Sequence, residues 1–166
     1  MRSLIAFPVL AIVVILQSAV ISRIPLLAGY ADLMLVTLAA WALQKQVTTA
    51  WHWAALGGIL IGFVSAMPWI AILVAYLFVV ALANIFQRRV WRAPLLAMLT
   101  VTFFGTLFMQ TLSFLVLRLM NDPLLLNGVL GLVVLPSVLL NLLLAIPVYA
   151  LTSDLAGWIY PPKEKE

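Results

Sequence analysis

Few side chains in this sequence could do chemistry, and Asp32 comes first because it is a carboxylate in apolar surroundings, within Tyr30-Ala31-Asp32-Leu33-Met34. An ionisable group in lipid is costly, so it is usually paired or functional. The neighbouring residues allow two placements. If the apolar run Ile24–Leu43 is one helix, Asp32 lies inside the membrane. If the helix opens at Leu33, Asp32 is an N-cap that accepts hydrogen bonds from orphan amides and complements the helix dipole. The amides Asn84, Gln110 and Asn141 also fall within or near apolar runs, where such groups hydrogen-bond across helices rather than face lipid. Gly58 and Gly62 form a Gly-x-x-x-Gly pattern that lets two helices approach closely. Asp32, Gly58, Gly62 and Asn141 are therefore the candidate contacts for a partner or for helix packing. Arg88, Arg89 and Arg92 form the densest charge cluster, suited to anchoring topology and to meeting anionic lipid or a cytoplasmic partner.

These residue types exclude much. His52 stands between Trp51 and Trp53 with no Cys, Asp or Glu nearby, which suits an interfacial anchor and not a metal site. Asp122 belongs to the turn signal Asn121-Asp122-Pro123, and Asp154 follows the last apolar run. No second aspartate is expected at membrane depth to share a site with Asp32, as an intramembrane aspartyl protease requires. There is no Gly-x-Ser-x-Gly elbow, no glycine-rich phosphate loop and no cysteine. No catalytic residue, metal ligand or cofactor site is expected.

The elements that would position these groups are membrane helices. The 166 residues are 66% hydrophobic and 8% charged, with a mean hydropathy of +1.23, against about one-quarter charged in a soluble domain. The pI of 9.9 would suggest nucleic acid in a soluble protein. Here the basic residues sit between apolar runs, where they set topology, and nucleic-acid binding is not expected. The runs are Leu4–Ile21, Ile24–Leu43, Trp51–Met67, Trp69–Phe86, Pro94–Leu117 and Leu124–Leu151. Only Pro68 separates the third from the fourth, so that stretch is either a kinked helix or a tight hairpin.

Charge favours the hairpin. Six spans with the N-terminus inside place Arg2, Lys45, Arg88, Arg89, Arg92, Lys163 and Lys165 inside and leave Arg23 and Arg118 outside. Five spans separate the charges less well. The first run is long for a signal-peptide core and reads as an uncleaved helix. The last run contains Pro136 and Pro147, which predicts a bend before a crossing from about Val134 to Leu151. The expectation is an all-α, polytopic bundle of six spans forming a single transmembrane domain over residues 1–166, with both termini cytoplasmic.

The order of features along the chain resembles the family of the rod shape-determining protein MreD. The pieces are Leu16-Gln17-Ser18, Arg23-Ile24-Pro25-Leu26, Asp32-Leu33, Gly57-Gly58 and Gly62, then Leu140-Asn141-Leu142-Leu143, Pro147-Val148-Tyr149 and Trp158-Ile159-Tyr160-Pro161. Family members often carry an acidic residue shortly after the third-span glycines, where this chain has Ser65, Ala66 and Met67, so no role of that carboxylate carries over. The resemblance implies a non-enzymatic scaffold in the bacterial inner membrane that binds a single-span MreC-like partner. It would belong to the elongation complex linking MreB filaments to peptidoglycan synthesis. It also implies a fold like the substrate-binding S components of energy-coupling-factor importers. The rival function is such a subunit of a vitamin importer, which would need a polar cavity. The first span lacks the alanine run that S components use.

Overall fold

The structure is a computed structural model that describes residues 5–19, 29–89, 93–120 and 130–160. Over the described residues it is an all-α fold of six helices: α1 Ala6–Ala19, α2 Leu33–Ala42, α3 Ala50–Val64, α4 Trp69–Arg89, α5 Pro94–Leu119 and α6 Leu135–Ile159, the last preceded by a π-helical turn, Leu130–Val134. One apolar core draws on all six.

The expected six spans are not found among the described residues, where three helical segments are long and apolar enough to cross a membrane, Trp69–Arg88, Pro94–Leu119 and Gly131–Ile159. The other three helices are apolar but have only 14, 10 and 15 residues. At about 1.5 Å per residue these rise about 15 to 23 Å, short of a hydrocarbon core of about 30 Å. Counting apolar runs overestimated the spans because a run measures hydrophobicity and a helix can start late within it. The second run is the clearest case, since its helix begins only at Leu33. The protein is therefore a multi-span membrane protein with three long apolar helices and three short ones packed among them.

α2 shows why a short helix is stable here. All ten of its residues are buried, and a helix apolar all round belongs in a core. It packs against each of the other five helices, most extensively against α6 and α4.

The stretch around Pro68 is a hairpin of two helices. α3 ends at Val64, Ser65 turns to extended backbone (ψ 147°), and the Met67 N–H donates to Ser65 Oγ at 3.1 Å. Pro68 then opens α4, its carbonyl accepting from the Ala71 N–H at 3.0 Å. α6 runs past the crossing expected to end at about Leu151, because Thr152 to Ile159 are helical too. The Thr152 hydroxyl returns to the carbonyls of Val148 (2.9 Å) and Tyr149 (3.0 Å), which lets the polar residue stay in the helix.

Candidate functional site

The start of α2 poses a backbone problem that the site residues solve. The first turn of a helix leaves amide N–H groups without intrahelical partners, and inside a bundle no bulk water can take them. Asp32 is the N-cap: its Oδ1 accepts from the Leu35 N–H at 2.9 Å. Gln17, near the end of α1, accepts from the Met34 N–H at 3.0 Å through its side-chain oxygen. The Asp32 N–H donates to Asn141 Oδ1 of α6 at 2.7 Å, and the Tyr30 N–H donates to Ser137 Oγ one turn earlier on α6 at 3.1 Å. Side chains from α1 and α6 thus complete the amides leading into α2.

The network continues sideways. The Tyr76 hydroxyl on α4 donates to both Asp32 carboxylate oxygens, each at 3.1 Å. Asn141 Nδ2 donates to Thr106 Oγ1 on α5 at 2.9 Å, and Thr106 in turn donates to the Thr102 carbonyl at 2.7 Å. Gln110, one turn further along α5, is buried as well. Thr106 stands midway along the 26 residues of α5. Asp32 therefore takes the second of its two sequence placements, the N-cap, and its network reaches the middle of a helix long enough to cross a membrane.

A cavity of about 210 Å³ adjoins the carboxylate, lined among others by Gln17, Tyr30, Asp32, Ser65 and Tyr76. Close backbone contact holds its surroundings. A Cβ added to Gly29 would fall 2.6 Å from Pro136 Cβ and 2.8 Å from the Ser137 nitrogen, so glycine alone lets this segment lie against α6.

The other candidates lie elsewhere. A Cβ on Gly58 would meet Leu73 Cα at 3.0 Å, and one on Gly62 would meet Trp69 Cβ at 2.7 Å. The Gly-x-x-x-Gly face is thus spent on the α3–α4 hairpin within the chain, although Gly62 also borders an outer apolar groove of about 290 Å³ with Ile59, Phe63 and Trp69. Arg88 is exposed at the end of α4; the backbone of Arg89 is helical, and Arg92 lies outside the described residues. Arg23-Ile24-Pro25-Leu26, Asn121-Asp122-Pro123 and Pro161 also lie outside them. His52 is exposed at the start of α3, and Asp154 is exposed on α6. Among the described residues no three of His, Cys, Asp and Glu come together.

Tyr30, Tyr76, Thr106 and Ser137 were not among the sequence candidates, and Gln17 entered only through the resemblance. Spacing could have found some of them. Ser137 and Asn141 are four apart, as are Thr102, Thr106 and Gln110, which puts each set on one helix face. All five are buried. A polar stripe in an apolar helix faces protein, and two such stripes imply that they meet. No family model, curated protein or solved structure matches this chain.

Proposed function

We propose that this protein is a non-enzymatic scaffold of the bacterial cell-elongation complex, similar to MreD, that binds a single-span MreC-like protein laterally and acts alongside MreB at the inner membrane. One observation carries the reading. Two distant pieces of the resemblance, Asp32-Leu33 and Leu140-Asn141-Leu142-Leu143, meet in space through the 2.7 Å bond from the Asp32 N–H to Asn141. Residues that join separate helices in this way hold the bundle in one arrangement, which is what a scaffold has to supply. The outer groove bordered by Ile59, Phe63 and Trp69 is the surface to probe first, since Phe63 is 86% exposed there. Orientation belongs to the same proposal, with Lys45 and Arg88 cytoplasmic and Arg118 on the opposite side.

The deciding experiment is a mild-detergent pull-down of the tagged protein from its native membrane. Recovery of a single-span MreC-like protein supports the scaffold reading, and Ile59→Trp, which fills the groove without touching the hairpin glycines, should lower that recovery several-fold. Unchanged recovery places the interface on another face. A second reading, a substrate-binding subunit of a small-molecule importer, is favoured by the cavity beside Asp32. Recovery of a transmembrane coupling subunit with paired ATPases would replace the scaffold reading with that one. Because the chain has no cysteine, Lys45→Cys and Arg118→Cys can each be labelled with a membrane-impermeant maleimide. On the proposed orientation only the second reacts from outside intact cells.

A further inference from the structure

We propose that the cavity beside Asp32 binds a small organic ammonium group, with the Asp32 carboxylate as its counter-ion. The residue is 5% exposed, and among the described residues its carboxylate is met by neutral groups, the Leu35 N–H and the Tyr76 phenol. Among the described residues that line the cavity there is no lysine, arginine or histidine. The capping bonds and the positive end of the α2 dipole offset part of the charge, but among the described residues no basic side chain lines the cavity against the carboxylate, and a buried charge is retained when something of opposite sign sits against it.

Three further features give that charge its chemistry. Two helices end at the cavity: Gln17 and Ser18 belong to the last turn of α1, while Ile61, Val64 and Ser65 are the last turn and cap of α3. Helix C-termini carry the negative end of the dipole and their last carbonyls lack intrahelical donors, so both favour a cation. Tyr30 and Tyr76 add aromatic rings to the wall, and a cation over such a ring gains about 0.5–2 kcal/mol. The space decides between an ion and a molecule. One water needs about 10–15 Å³ on this measure, so about 210 Å³ is far more than a bare metal ion requires and suits a small organic cation. An anion would meet the Asp32 carboxylate.

The ammonium group has two sources, a free alkylamine or the ethanolamine headgroup of a phospholipid, and the test separates them. The full chain, purified in a maltoside detergent and stripped of lipid, is heated with increasing ethanolamine, with ethylene glycol as the neutral counterpart, and with phosphatidylethanolamine or phosphatidylglycerol. A saturable rise in unfolding temperature with ethanolamine, absent with ethylene glycol, supports a free amine as a ligand. A rise with phosphatidylethanolamine alone, not matched by phosphatidylglycerol, supports the headgroup. Asp32→Asn keeps the cap's shape and should weaken the apparent affinity tenfold or more. Val64→Trp, at an outward-leaning wall position, keeps the carboxylate and should abolish the rise by filling the space. The proposal is overturned if neither amine stabilises the wild type, if ethylene glycol does as well, or if Val64→Trp responds like the wild type. The inference is independent of the scaffold reading, because the binding measurement uses the protein without any partner chain.

Discussion

The two ends of α2 are capped by different chemistry, and the contrast follows from where each end lies. At the Leu33 end a carboxylate and neutral side chains from α1 and α6 complete the backbone amides, deep among helices. At the Ala42 end the carbonyls are met by carboxamides: Gln44 Nε2 turns back to the Ala40 carbonyl at 3.2 Å, and Gln87 Nε2 of α4 reaches the Gln44 carbonyl at 2.7 Å. That end faces an open cavity of about 320 Å³ lined by Gln44, Lys45, Gln46, Gln87 and Tyr149. An aromatic cluster lies at the same end of α2, with Trp41 and Trp53 stacked 4.1 Å apart and Tyr160 at 6.4 Å from Trp41. Charge placement obeys the dipole at both ends, acid at the N-terminus and a lysine just beyond the C-terminus. Depth decides the rest: the Leu33 end needs each partner from protein, whereas the Ala42 end has polar surface to share.

If depth governs, removing a partner should cost far more at the Leu33 end. Asp32→Ala removes a cap, worth about 1 kcal/mol, and strands the buried Tyr76 hydroxyl, worth about 1–3 kcal/mol more. A loss of about 3 kcal/mol is expected in a reversible denaturation titration in mixed micelles. Asn141→Ala should come close behind at about 2–3 kcal/mol, because it leaves the Asp32 N–H without its acceptor and Thr106 without its donor. The double variant should lose less than the sum, since both residues belong to one network. Full additivity would mean that the cap and the α6 contact act separately, and the account of a single network would fail.

The sequence made the all-α class, the break at Pro68 and the need of Asp32 and Asn141 for protein partners readable, each for a local reason. Proline forbids a continuous helix, and polar residues in apolar runs must find protein partners. The number of spans was not readable, because Leu33 to Ala42 are apolar whether they start a span or fill a core. Nor was the meeting of Asp32 with Tyr76, which depends on how α2 and α4 lie against each other and not on any spacing within one helix. Gly58 and Gly62 show the same limit from the other side. The pattern announces a close approach and is silent on whether the approaching helix is the chain's own.

The glycines supply the next test. Gly58→Leu must displace the Leu73 backbone side of α4, and overpacking of this kind costs about 1–3 kcal/mol. Gly131, around which an added Cβ would meet nothing within 4 Å, is the matched control, and Gly131→Leu should change stability by less than about 0.5 kcal/mol. If both variants still insert and only Gly58→Leu unfolds early, the motif is an internal one. Equal stabilities would return it to the outer surface.

Gln44→Ala is the smallest expected effect and the one that sharpens the contrast. It removes the bond to the Ala40 carbonyl, but the Gln87 bond is made to the Gln44 backbone and survives the substitution. A carbonyl has two lone pairs, and one left partly satisfied costs less than a buried N–H with no acceptor. The open cavity beside Gln44 also admits water to replace the lost donor. A loss of about 0.5–1 kcal/mol is therefore expected, well below that of Asp32→Ala. A loss equal to Asp32→Ala would mean that the Ala42 end is as closed to water as the Leu33 end, and depth would no longer account for the difference in their caps.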